Sequence, residues 1–388
     1  MWNVGPDQIV QGQRRFDIQR VSETTPFAQR LDAIAYRRLN ERRLYFAQEP
    51  QTLERRYGEL GRALHAWVER AFDGVEAMIS AEGIDCAYER CGQLYVTHTE
   101  RGAGRLDVLA GELRSAGSPA HVVRGDALRA EIGSPMFVAG LVVERSGGLH
   151  PARFHAGLTR VAVEAGASLH ARTRAETIER AGAGWRVTTT AGAVQAAEVL
   201  LATNAYADGL EPALRRRVLP MGSFIIATPP LDPGLAAEVL PTRRMVFNDR
   251  NLLWYWRLDP EGRMVFGGRK RLGAVALEEA RDFLHQAMVR VHPQLAGVPV
   301  ERAWGGLVAL TLDRLPHCGH VNGLWYATGC NGSGVATNTW LGHQMAGAMC
   351  GGELPPFARL RHRPIPLHRY RRAWLPAVSA WFRLQDRR

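Results

Sequence analysis

Gly329-Cys-Asn-Gly-Ser-Gly-Val335 holds three glycines in six residues between two periodic segments. The apolar run Gly323-Leu-Trp-Tyr-Ala-Thr328 precedes it, and Ala336–Met349 after it reads as a helix. Strand, glycine turn and helix together bring bare backbone N–H groups to a helix N-terminus, which suits an anionic or electron-accepting ring. The glycines remove the side chains that would block that approach. The plainer reading is a tight strand-to-helix turn. Two other segments bear on the choice: Thr311-Leu-Asp-Arg-Leu-Pro-His-Cys-Gly319 and Leu200-Leu-Ala-Thr-Asn-Ala-Tyr206.

Taken in order, these three segments resemble the D-amino-acid-oxidase-like family of FAD-dependent oxidoreductases, nearest the branch that oxidises γ-glutamylputrescine. In that family a strand ending in Ala-Thr-Asn/Gly-Ala passes the FAD, and an Asp-x-x-Pro-x-x-Gly segment and a Gly-x-Asn-Gly-x-Gly-Val turn close over the flavin's pyrimidine end. The matching residues are Ala202, Thr203 and Asn204, then Asp313, then Gly329, Asn331, Gly332, Ser333, Gly334 and Val335. Gly147-Gly-Leu-His-Pro151, Gly267-Gly-Arg269 and Pro364-Ile-Pro-Leu-His368 extend the resemblance over roughly residues 60–388. It also implies that Ala175 lies beside the adenine.

One family element is missing from the sequence. The family opens with a strand, a Gly-x-Gly-x-x-Gly turn and a helix, which seat the FAD pyrophosphate on a helix N-terminus. The first 60 residues here contain only Gly5, Gly12 and Gly58, with four Arg-Arg pairs between Arg14 and Arg56. Non-covalent FAD that is weakly held or absent is therefore expected. Some members attach FAD through a cysteine seven residues before the motif Asp; that position is Gly306. Two alternatives stay open beside the enzyme reading: a non-catalytic remnant or interaction protein of the same fold, and a truncated gene product.

The implied chemistry is oxidation of the C–N bond of an amine or amino acid, giving an imine, with hydrogen peroxide if the enzyme is an oxidase. The cofactor does the hard step and the protein orients the substrate. The N–H groups of Gly332, Ser333 and Gly334 suit charge developing on the ring. Substrate-side candidates are Trp254 and Trp256, alternate residues on one face of a strand, and Arg269, whose planar fork suits a carboxylate. Trp304 is placed near the flavin. Core tryptophans and a surface arginine are the competing readings.

Composition narrows the rest. A 388-residue chain, 46% hydrophobic and 22% charged, is in the range of globular proteins. It has no apolar run of about 18 residues, so no membrane span is expected, nor does it begin with a secretory leader. The five cysteines are scattered, which fits free thiols in a reducing cytoplasm. No metal-ligand spacing occurs. Basic residues exceed acidic ones, 49 to 38, but are spread without a nucleic-acid motif, so nucleic acid is not an expected partner.

The elements that must position these groups follow from periodicity. Leu60–Ile79 has helical spacing, stopped by Gly83; Gly92–Thr97 and Phe137–Val143 read as strands, and Leu106–Ser115 as a helix. Pro151 opens a helix through Ala165. Strands are expected at 168–179, 185–190 and 196–202, making a βαβ-like unit with that helix. The span 220–309 reads as an antiparallel layer interrupted by a helix at 277–291. The fold class is thus α/β (α+β): an incomplete FAD-binding, Rossmann-like domain with an antiparallel-sheet substrate domain. Its segments are 1–60 (Arg-rich), 61–138 (helical), 139–215 and 312–355 (FAD-binding parts), 216–311 (substrate domain) and 356–388 (a basic amphipathic tail).

Overall fold

The computed structural model describes residues 50–207 and 209–386. Helices of eight or more residues are α1 (Pro50–Tyr57), α2 (Glu59–Ala81), α3 (Glu100–Ser115), α4 (Pro151–Glu164), α5 (Leu277–Val291), α6 (Gly334–Met349) and α7 (Arg371–Gln385). The strands are β1 (Gln93–Thr97), β2 (Ala120–Arg124), β3 (Ala139–Val143), β4 (Ala175–Ala181), β5 (Gly184–Thr189), β6 (Gly192–Ala196) and β7 (Leu200–Leu201). They continue as β8 (Leu219–Pro230), β9 (Met245–Asn248), β10 (Trp254–Leu258), β11 (Arg263–Gly268), β12 (Arg302–Leu310), β13 (His317–Val321) and β14 (Leu324–Thr328). Residues 1–49, and with them most of the arginine-rich segment, lie outside the described residues; Arg55 and Arg56 end α1.

Eight strands form one large sheet in the order β12-β8-β11-β10-β9-β1-β3-β2. Every pairing in it is antiparallel except β1 with β9. This is the antiparallel layer read from the sequence, and α5 crosses one face of it at the expected residues. Strand alternation sorts the side chains. Trp254, Trp256, Phe266, Ile226 and Val246 join Leu284, Met288 and Val291 of α5 in the main core. Ile225, Ala227, Phe247, Tyr255 and Val265 collect on the other face, with Tyr95 and Trp304 against them.

A smaller sheet runs β13-β14-β7, with β14 parallel to β7 and antiparallel to β13. Helices α2 and α6 pack beside it. Leu64, Trp67, Val68 and Ala71 of α2 meet Leu341 and Met345 of α6 and Leu315, Cys318 and Phe357. The Trp67 indole N–H donates to Gln344 across that seam at 2.5 Å. The chain is therefore mixed α/β as expected, with the glycine turn lying between β14 and α6.

Three expected elements differ. Helix α3 begins at Glu100, not Leu106, because the Thr99 side chain accepts the Gly102 N–H at 3.0 Å and caps the extra turn. The run 168–179 is extended only from Ala175, and 196–202 splits into the end of β6 and the two-residue β7. Helix α4 does start at Pro151, but its flanking strands β3 and β4 lie in different sheets. The βαβ-like unit is thus not what the backbone forms.

Candidate active site

The glycine turn is tied to the other two sequence segments by buried hydrogen bonds. Asn204, with φ of 48°, turns its carboxamide oxygen to the N–H groups of Gly329 and Cys330, at 3.1 and 3.4 Å. Its amide nitrogen donates to the Cys330 sulfur at 3.1 Å. Asn331, also at φ 48°, accepts from the Thr311 N–H at 3.0 Å and donates to the Gly329 carbonyl at 2.6 Å. Its own N–H reaches the Ala309 carbonyl on β12 at 2.9 Å. Asn tolerates left-handed backbone better than branched residues because its short side chain bonds locally. The structure thus brings Asn204, Asn331, Gly329 and the 311–313 loop together, and Thr203 is buried beside them.

The far end of the turn is left open. Gly332 has φ of 104°, and a Cβ placed on it would meet nothing within 4 Å. Ser333 caps α6 but makes no side-chain capping bond; its hydroxyl is buried with no partner among the described residues. The Ser333 N–H is spent on the Cys330 carbonyl at 2.7 Å, so it is not available to a ligand as the sequence reading expected. The turn's own bonds leave the N–H groups of Gly332 and Gly334 unused. A buried helix start with a spare hydroxyl and an unfilled glycine face fits an electron-rich ring edge, and no group among the described residues fills it. The turn therefore matches the flavin that the family resemblance implies.

Asp313 braces the turn from below. Its carboxylate accepts the Leu315 N–H at 3.1 Å and sits 3.0 Å from His317 Nε2. Burial pushes the carboxyl up, but the bond and charge of His317 outweigh it, and the pKa falls below the ordinary value. The His317 ring stacks on His362, centroids 4.0 Å apart and nearly parallel. Burial, then the His317 and Arg217 charges, hold His362 down to about 3, so it is neutral. Cys318 behind it is pushed up to about 12 by burial, an inert thiol.

The large sheet meets the turn through β12, where the Asn331 N–H reaches the Ala309 carbonyl. Strand β12 runs directly into Thr311, and the Leu307 N–H donates to the Tyr206 hydroxyl at 2.9 Å. Trp304 and Gly306 lie partly exposed along it. Arg269 is also partly exposed, and its Nε is buried without a partner among the described residues. Trp254 and Trp256 are elsewhere. They point to the α5 side, where Trp256 stacks with Phe137 and Phe266 at centroid distances of 5.9 and 5.4 Å. The alternate residues Tyr255 and Arg257 occupy the face shared with Trp304, and the Tyr255 hydroxyl meets Ser223 at 3.0 Å. The two indoles thus take the competing core reading, while Gly267 makes room for the other phase of the strand: a Cβ there would lie 2.2 Å from the Tyr255 ring. Gly148 similarly yields to the buried Arg257, whose Nη1 would be 2.5 Å from a Cβ. Ala175 opens β4 in the separate β4-β5-β6 sheet, and no bond links it to the turn.

Comparison with known proteins identifies the family. The relative OrdL of Rhizobium meliloti, an oxidoreductase by name, is 33% identical over 261 residues, 66% of this chain and 60% of its own length. The OrdL match in Haemophilus influenzae spans 53% of that protein at 32% identity. The gamma-glutamylputrescine oxidoreductase of Escherichia coli is 27% identical over 349 residues, 88% of this chain and 82% of the relative. Among solved structures, glycine oxidase from Geobacillus kaustophilus superposes with a TM-score of 0.69 at 20% identity, over 78% of this chain and 84% of that one. L-proline dehydrogenase from P. horikoshii gives 0.66 at 17% identity, over 80% and 84%. These last two share the fold. The model of the FAD dependent oxidoreductase family, DAO, matches residues 40–348, and the chain belongs to that family.

Proposed function

We propose that the chain is an FAD-dependent oxidoreductase acting on the C–N bond of a small amine or amino acid. The observation that carries this reading is the open end of the turn: the clear space at Gly332 beside a buried, unpartnered Ser333 hydroxyl at the start of α6. When bound, FAD would accept two electrons and a hydrogen from the carbon next to nitrogen. Asn204 and Asn331 hold the turn rigid, the Gly332 and Gly334 N–H groups and the Ser333 hydroxyl would face the ring's electron-rich edge, and Asp313 keeps the supporting loop in place. The face of the large sheet carrying Tyr255 and Trp304 would form the substrate wall. Arg269 has a nitrogen to spare for a carboxylate. The substrate loses a hydride from carbon and a proton from nitrogen, leaving an imine; with dioxygen as acceptor, hydrogen peroxide forms.

The thiols support non-covalent attachment. Position 306 is glycine. Cys330, in the turn itself, is buried and already bonded by Asn204. The reading is tested by mixing FAD-loaded protein anaerobically with γ-glutamylputrescine, and separately with glycine and L-proline. Bleaching of the flavin band by any one, with the imine-derived carbonyl recovered, supports it. An inert flavin with all three would favour the non-catalytic alternative.

A further inference from the structure

We infer that helix α7 is a docking face for the surface of an anionic lipid bilayer. One side of α7 is committed to the protein body. Leu375 and Ser379 are buried, the Ser379 hydroxyl accepts the Leu272 N–H at 2.9 Å, and the Asp386 carboxylate accepts the Asn251 and Leu252 N–H groups at 2.8 and 3.0 Å. The other side is exposed and apolar. Ala373, Pro376, Ala377, Ala380, Trp381 and Leu384 all face out. At 3.6 residues per turn they span an arc of roughly 140° with no charged side chain inside it.

This is where exposed apolar bulk gathers in the molecule. Of the ten large hydrophobic side chains exposed among the described residues, five fall between Leu354 and Leu384, including Leu367 (68% exposed), Tyr370 (51%), Trp381 (57%) and Leu384 (47%). Trp381 and Leu384 stand one turn apart on the same face of α7, and exposed apolar side chains gathered on one face mark a contact. Charge names the contact. Residues 354–388 contain nine arginines and one acidic residue, Asp386, which is already occupied by backbone N–H groups. Arg372 and Arg383 are exposed along one edge of the apolar arc, and Arg369 is exposed just before the helix begins. Trp, Leu and Tyr flanked by arginine is the composition of a helix lying in a headgroup layer, its apolar side in the acyl boundary and its guanidinium groups on lipid phosphates. No helix in the described residues is long and apolar enough to cross a membrane, so the contact is at the surface. A second copy would set like charges face to face, and a nucleic acid would leave Trp381 and Leu384 in water.

The full chain is sedimented with phosphatidylcholine vesicles, with and without phosphatidylglycerol. Binding is expected only to the phosphatidylglycerol vesicles, weakening as salt rises. Trp381→Ser with Leu384→Ser should reduce it by at least about tenfold with the melting temperature unchanged, since both side chains are exposed. Leu384→Glu alone, milder for folding, should also reduce it. No binding to anionic vesicles overturns the proposal. So does undiminished binding of both variants, which would make the attraction one of charge alone. So would a wild-type dimer that these substitutions dissociate without lipid, because the face would then belong to a second copy.

Discussion

At the scale of single residues, the site rests on two asparagines and one glycine. Asn204 serves three groups of the turn at once, so its loss leaves two N–H groups without an acceptor. Asn204→Ala should cost about 1–3 kcal/mol in urea unfolding and loosen FAD; a variant as stable as the parent would show the tie to be incidental. Gly332→Val is a sharper probe. The backbone at φ 104° disfavours a branched side chain, at a cost of about 1–3 kcal/mol, yet a Cβ there has no neighbour within 4 Å among the described residues. A folded variant that no longer binds FAD is expected, and unchanged flavin affinity would remove the turn from the cofactor site. These residues were singled out through the family resemblance, since glycine and asparagine at that spacing also suit a plain strand-to-helix turn. The spent Ser333 N–H was not legible, because it depends on how the turn closes.

At the scale of elements, alternation made β10 visible as a strand with two faces but could not say which face α5 covers. That is decided by the helix, 20 residues downstream in sequence and adjacent only in the fold. Trp256→Ala should therefore cost about 3–5 kcal/mol as a core deletion, whereas Tyr255→Phe should leave stability nearly unchanged and alter substrate KM. A stable Trp256→Ala protein would put that indole outside the core. The start of α3 was missed for a similar reason, since the Thr99 cap adds a turn that apolar periodicity alone does not require.

The loop that braces the turn carries a pH dependence of defined sign. His362 is held neutral at about 3, and His292, buried at the C-terminal end of α5 against the Gly133 carbonyl, is held at about 4 by burial. Unfolded histidine takes up a proton near 6.5. Folded-state stability is thus full above pH 6.5 and falls as the pH drops toward those values. Asp313, lowered in the fold, is lost in the same direction at lower pH still. His362 alone should contribute roughly 2 kcal/mol of loss between pH 6.5 and 5. His362→Gln should start less stable, through the lost stack on His317, and decline less over that interval. Parallel decline of the two proteins would show that His362 is not held neutral.

At the scale of the whole molecule, two sheets stand on either side of the turn: the small one leads into it through β14, and the large one reaches it through β12. The antiparallel layer and the turn–helix unit were readable from the sequence because each repeats a strong local pattern. The separation of β3 and β4 into different sheets was not, since which strands pair is set by packing across the chain. The central claim is that this assembly holds FAD in place without a covalent bond. Its most direct test is titration of the purified full chain with FAD, followed by absorbance and flavin fluorescence, then acid precipitation. The account predicts saturable binding at one FAD per chain, weak enough for much of the protein to be isolated without it, lost in Gly332→Val, and released whole into the acid supernatant. No saturable binding, or flavin that stays with the precipitated chain, would contradict it.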